Sequence, residues 1–142
     1  MDDTQKLLQS VVENARTGLN ACDQLIAKAK DAGVRDQLMT QRAKYQSFAQ
    51  DAERALYAAG GQPHATSPLG RMGMWMGIQM NTLTDDSASH IAEIAIQGAT
   101  MGVIEMTRDR AALSEADANA QGMASGFIVS QQENIDALKA FL

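Results

Sequence analysis

The sequence predicts an all-α protein built as a four-helix bundle. Long segments repeat their apolar residues at alternating steps of three and four, the spacing that lines one face of an α-helix. Of the 142 residues 45% are hydrophobic but only 4% are aromatic, and this composition favours closely packed helices over sheets. A chain of this length can bury a core. We therefore assign residues 1–142 to one domain.

The first two helices are predicted to form a hairpin. Apolar side chains recur on one face from about residue 4 to 31, with Thr4 as the N-cap and Gly33 as the stop. The second helix covers about residues 34–59 and ends at Gly60-Gly61. Because the link between the two helices is short, they run antiparallel.

A long crossover, residues 60–85, leads to a second hairpin. Ser67-Pro68 is a typical helix start, so we expect a short helix at about 68–82 within the crossover. The second hairpin consists of helices at about 86–113 and 115–141. Two antiparallel hairpins joined by a long crossover give the up-down connectivity of a ferritin-like bundle.

The third long helix is apolar on nearly every side over residues 91–106, so we expect neighbours all around it. Gly98 and Gly102 lie four apart, as do Gly122 and Gly126 in the last helix. Each mid-helix Gly costs about 1 kcal/mol relative to Ala, and close approach of the two backbones would compensate. We also expect copies of the chain to contact one another through this helix or the crossover. This contact predicts a homo-oligomer, namely a dimer.

Charge and hydropathy restrict the partners and the location. The net charge of -5 and the pI near 4.9 argue against nucleic acid or an anionic membrane as a partner. No apolar run is long enough to span a bilayer and the N-terminus does not resemble a targeting signal, so we expect a cytoplasmic protein. The single cysteine, Cys22, falls on the inward face of the first helix, where we expect an unreactive thiol.

The candidate functional residues are amides in places where a metal site would need other side chains. Gln131 and Asn134 lie in the apolar stripe of the last helix, at the spacing of the Glu-x-x-His pair of di-iron bundles, and Gln41 and Lys44 repeat that spacing in the second helix. Amides lack the charge or basicity that iron needs. We therefore expect no di-metal centre, no cofactor and no catalytic residue.

Two functional interpretations of these amides stay open, beside the alternative that the helical face is assigned one position off and the amides are exposed. In the first, Gln41, Gln131 and Asn134 form a polar core layer that bonds across the bundle and fixes the helix register. In the second, they bind a small polar ligand together with Asn20 and Thr100. Either interpretation predicts a structural or binding module rather than an enzyme.

The rival hypothesis is a divergent metalloprotein. Thioether sulfurs suit Cu(I), and the crossover supplies Met72, Met74, Met76 and Met80. A relocated iron site would use Glu53, Glu93 or Glu105. A helix spreads the methionines around its axis, however, so packing against the bundle is the favoured interpretation. Trp75 then anchors the crossover with its ring buried.

Several segments in a fixed order carry a family resemblance. They are Gln41–Phe48, Gly60–Pro63, Met74–Met76, Leu83–Asp86 and Gln97-Gly98. Together they resemble a bacterial ferritin-like four-helix-bundle family of unknown function, over about Asn14 to Leu142. The resemblance implies the bundle fold and no established activity. The chain departs from the family's pattern where acidic residues commonly follow two of the glycines, since Leu19-Asn20 follow Gly18 and Ala99-Thr100 follow Gly98.

Overall fold

The computed structural model describes residues 1–64 and 71–142, and the regular structure in these two ranges is entirely helical. In chain order its elements are α1 (Asp3–Lys28), α2 (Ala32–Ala58), α3 (Arg71–Asn81), α4 (Ala88–Ala112), α5 (Ala118–Leu138) and a final 3₁₀ turn (Lys139–Phe141). The all-α prediction is confirmed. Within the same ranges, no helix is long and apolar enough to cross a membrane.

The start of α1 is set by a capping box rather than by Thr4. The Asp2 carboxylate accepts a hydrogen bond from the backbone N–H of Gln5, and the Gln5 side-chain oxygen accepts one from the backbone N–H of Asp2. The Thr4 hydroxyl instead accepts a hydrogen bond from the backbone N–H of Asp117, at 2.8 Å. Thr4 therefore connects the beginnings of α1 and α5.

The link between α1 and α2 comes earlier than predicted. Helix α1 ends at Lys28, and the Asp31 carboxylate caps α2 by accepting a hydrogen bond from the Val34 N–H. Gly33 is therefore inside the first turn of α2 and does not stop α1. A carboxylate at a helix start stabilises that boundary by accepting a hydrogen bond from a free backbone N–H group. A glycine that is not part of a turn gives no comparable stabilisation.

The second hairpin starts later than predicted at both of its helices. Ser87 caps α4 by accepting from the His90 N–H, and Asp117 caps α5 by accepting from the Ala120 N–H. Helix α3 ends close to the predicted position, whereas the predicted start at Ser67-Pro68 lies outside the described residues.

The four long helices pack around two clusters of buried apolar side chains. One cluster joins α1, α2, α4 and α5 and includes Leu7, Val11, Leu56, Met106 and Phe127. The second adds α3 and includes Leu25, Leu38, Met76, Ile91 and Leu138. Helix α4 is not surrounded on every side, because a line of its residues is exposed: Glu93, Gln97, Thr100 and Ile104. The expectation of complete burial for α4 is therefore wrong.

Three of the four glycines that were expected to bring α4 and α5 together do not lie against the backbone of the other helix. A Cβ added to Gly122 would meet open space, one on Gly126 would lie 3.8 Å from the Phe48 ring, and one on Gly98 would face α3. The tight position is Gly18 of α1, where an added Cβ would lie 2.6 Å from Cδ1 of Tyr45. A glycine that permits a close helix contact therefore lies in the first hairpin.

Candidate functional site

A cavity opens between the four long helices, and α3 contributes Met76 to its wall. The cavity volume is about 30 Å³. Most of the wall is apolar, with side chains such as Leu25, Leu38 and Phe127. The polar wall residues come from three helices: Asn14 and Cys22 of α1, Gln41 and Tyr45 of α2, and Gln131 of α5. None of the described wall residues carries a formal charge.

One polar part of the wall is a tyrosine–amide pair. The Tyr45 hydroxyl donates a hydrogen bond of 2.7 Å to Oε1 of Gln131, and the two residues are 7% and 2% exposed. Gln131 was expected to bond to another amide across the bundle, but its oxygen is bonded to Tyr45. Tyr45 follows Gln41 by four positions on the inward face of α2, so the sequence did hold a signal for its role.

Asn134 and Gln41 lie beside this pair. The Gln41 side-chain nitrogen comes within 3.5 Å of the backbone oxygen of Asn134, the outer limit of a hydrogen bond. Asn134 is 1% exposed, and both polar atoms of its side chain lack a hydrogen-bond partner of ordinary geometry in the described part of the chain. Its side chain nevertheless lies close enough to the Tyr45 hydroxyl to lower the pKa of that group. The predicted burial of Gln41, Gln131 and Asn134 is confirmed, but the amides do not form the continuous network we expected.

Another polar part of the wall is Asn14, which no pattern in the sequence singled out. Its side-chain nitrogen donates a hydrogen bond of 2.9 Å to the backbone oxygen of Ser10, one turn earlier in α1. The Ser10 hydroxyl in turn donates to a carboxylate oxygen of Asp109 in α4. Asn14 is 8% exposed, and its Oδ1 has no hydrogen-bond partner among the described residues. Ser10, Asn14 and Gly18 follow one another at steps of four, which places them on one face of α1.

Asn20 and Thr100 do not belong to this site. Both are exposed, and the Thr100 hydroxyl donates to the backbone oxygen of Ile96 within its own helix, at 2.8 Å. Each lies one position before or after a wall residue, Ala21 in α1 and Ala99 in α4. A step of one residue rotates a helix by about 100°, so these side chains point away from the cavity.

The titratable groups of the wall stay neutral near pH 7. Burial raises the pKa of the Cys22 thiol to about 12, with a smaller contribution from the nearby Asp23 and an opposing one from Arg42. Burial is also the main reason that the pKa of the Tyr45 hydroxyl is raised, against the effect of its hydrogen bond to Gln131. The expectation that Cys22 is buried is confirmed, and its high pKa makes it a poor nucleophile.

The methionines proposed as copper ligands do not all lie on one face of α3. Met76 is 4% exposed and forms part of the cavity wall, whereas Met74 is 54% exposed. Met80 packs partly buried against the second cluster, and the side chain of Met72 lies outside the described residues. Trp75 is half-buried rather than fully buried, next to Gly98 of α4, where an added Cβ would lie 3.6 Å from its ring.

The glutamates proposed for a relocated iron site lie at separate places. Glu53 accepts a hydrogen bond of 2.6 Å from Arg16, Glu93 lies 3.6 Å from Nδ1 of His90, and Glu105 lies half-buried on α4. Across residues 1–64 and 71–142, no group of three or more His, Cys, Asp or Glu side chains is arranged to hold a metal ion.

Comparisons with known proteins add no further constraint. No protein-family model, curated protein or solved structure matches the chain. The resemblance to a ferritin-like family therefore stays a prediction, and the cavity and its polar side chains are the basis for assigning a function.

Proposed function

We propose that this protein is a non-catalytic binding module, a ferritin-like bundle without a di-metal centre that holds a small uncharged molecule between its four long helices. The observation that carries the proposal is the cavity between the long helices, whose described wall is largely apolar and contains a few polar side chains. This combination is typical of small-molecule sites, in which apolar walls supply affinity and single polar groups fix orientation.

The chemistry of the wall supports an uncharged ligand over a metal ion. In ferritin-like bundles, carboxylates and imidazoles from facing helices project into the space between the helices. Here the side chains that the long helices direct into that space include Gln41, Tyr45 and Gln131, which are neutral. An ion placed among them would lose its hydration without gaining a compensating charge.

The packing of the wall supports a bound molecule over a purely structural role. Protein interiors are close-packed, and space left between buried side chains reduces stability. The cavity retains such space together with an unpartnered polar atom on Asn14. A ligand that fills the space would recover both the lost contacts and the missing hydrogen bond.

Native mass spectrometry of the purified protein tests the proposal. We expect the wild-type chain to retain a small non-covalently bound molecule, and the Ala99→Leu variant to lose it because Ala99 is 4% exposed in the cavity wall. Thr100→Leu is the matched control, since Thr100 is exposed on the same helix. A wild-type protein without a bound molecule, or an Ala99→Leu variant that retains it equally, would contradict the proposal. Stoichiometric iron, manganese or copper in elemental analysis would favour the rival metalloprotein.

A further inference from the structure

We propose that the cavity selects molecules carrying an O–H or N–H group, and that Oδ1 of Asn14 is the acceptor that recognises this group. The inference rests on the proposed binding function and names the chemical class of the ligand: a compact apolar body with at least one hydrogen-bond donor and no formal charge.

The orientation of the Asn14 amide is fixed by its partners in α1. The backbone oxygen of Ser10 can only accept a hydrogen bond, so the amide group placed 2.9 Å from it must be the nitrogen. The Ser10 hydroxyl donates its proton to Asp109, and its oxygen lies 3.5 Å from the same Asn14 nitrogen. Both neighbours therefore favour one orientation of the amide, and Oδ1 is the atom left for another partner.

That oxygen is buried without a partner in a wall that has room for one. Asn14 is 8% exposed and lines the cavity, and its Oδ1 has no hydrogen-bond partner in the two described ranges. A buried acceptor without a donor is unfavourable, whereas a donor supplied by a ligand removes that cost. A ligand that has only hydrogen-bond acceptors cannot bond to the Asn14 oxygen and therefore does not remove that cost.

The rest of the wall restricts the remainder of the ligand. Leu25, Leu38 and Phe127 offer apolar contacts, and no described wall residue has a formal charge to pair with an ionic ligand. Cys22 and Tyr45 keep their protons near neutral pH, because burial raises the pKa of both groups. Carboxylate and ammonium ligands would therefore be buried without a counter-charge.

A pair of matched probes tests the selectivity on the unmodified protein. Cyclohexanol and methoxycyclohexane share an apolar ring, but only the alcohol has an O–H group. Binding is followed by isothermal calorimetry and by the fluorescence of Trp75, the single tryptophan, which lies against Gly98 of the cavity wall. We expect the wild-type protein to bind the alcohol about ten times more tightly than the ether, the ratio that one additional buried hydrogen bond typically gives.

Variants of α1 assign the selectivity to Asn14. Asn14→Leu keeps a similar volume without an acceptor, and we expect it to bind the two probes with nearly equal affinity. Asn20→Leu is the control, because Asn20 is exposed on the same helix, and it is expected to keep the preference for the alcohol. The wild-type comparison requires no variant to fold, so the inference can be tested even if Asn14→Leu proves unstable.

The outcomes separate this inference from the proposed function. Equal affinity of the wild-type protein for the two probes overturns the inference and leaves the binding function in place. A preference for the alcohol that persists in folded Asn14→Leu protein also overturns it, because another group must then accept the hydrogen bond. Failure of both probes to bind overturns the selectivity and counts against the binding function itself.

Discussion

At the scale of single residues, the buried polar side chains differ in whether they have a hydrogen-bond partner among the described residues. Gln41, Gln131 and Asn134 are buried as their helical faces predicted. The partner of Gln131 is Tyr45, and among the described residues the side-chain oxygens of Asn14 and Asn134 have no hydrogen-bond donor. A helical pattern places a side chain on a face to within about one position, but the choice of partner depends on the rotation and separation of two helices.

The buried Cys22 thiol makes the unfolding free energy depend on pH in the alkaline range. Its pKa is raised from an ordinary value of 9.0 to about 12 in the folded chain, so the unfolded chain releases this proton first. The contribution of Cys22 is fully present below pH 9.0 and is lost as the pH rises from 9.0 towards 12. We expect urea denaturation to show a smaller loss of unfolding free energy between pH 8 and pH 10 for Cys22→Ala than for the wild type.

A reactivity measurement provides an independent control for that prediction. Because the thiol is protonated and buried, we expect a thiol reagent at pH 8 to modify the native protein far more slowly than the urea-unfolded protein. Equal rates for native and unfolded protein, or identical pH profiles for Cys22→Ala and the wild type, would contradict the assignment of a raised pKa to Cys22.

At the scale of helices, the order and type of the elements followed from the sequence, whereas several ends did not. The first residues of α1, α2 and α5 are determined by the carboxylates of Asp2, Asp31 and Asp117. Each carboxylate accepts a hydrogen bond from a backbone N–H group of the first turn. Competing signals lay close by, Thr4 in the first turn of α1 and Gly33 in the first turn of α2. Local patterns do not rank such neighbours, because the tertiary contacts of each residue decide which of them caps the helix.

The contact between α1 and α2 at Gly18 predicts the effect of a single methyl group. A Cβ on residue 18 would lie 2.6 Å from Cδ1 of Tyr45, whose ring is held by its bond to Gln131. We expect Gly18→Ala to lower the unfolding free energy by about 1–3 kcal/mol through overpacking. Urea denaturation followed by circular dichroism measures this change.

Gly122→Ala is the matched control for the Gly18 prediction. A Cβ added at Gly122 would meet nothing within 4 Å, and the residue lies within α5 on its exposed side. The same substitution should therefore raise the unfolding free energy by about 0.5–1 kcal/mol, the difference in helix propensity between Ala and Gly. If both variants change stability in the same direction, the contact with Tyr45 does not limit the distance between α1 and α2.

At the scale of the whole molecule, the all-helical class could be predicted because it depends on composition and periodicity. The cavity could not be predicted, because it is the space that remains after several helices have packed. Its volume depends on the distances between helices, which no local sequence pattern records. Burial of α4 on every side was expected from its apolar sequence, yet Ile104 is 44% exposed. In the isolated chain, part of this apolar surface therefore has no cover.

The exposed apolar side chains are the basis for retaining the prediction of a homodimer. Ile104 of α4 and Ile78 of α3 are 44% and 59% exposed. They lie on the two elements, the third long helix and the crossover, through which the sequence predicted self-association. We expect light scattering at micromolar concentration to give the mass of a dimer. Ile104→Glu or Ile78→Glu should shift it towards the monomer, because a charge buried in an apolar contact is unfavourable. Tyr57→Glu is the control, since Tyr57 is also exposed but lies on α2; a wild-type monomer throughout this range would contradict the prediction.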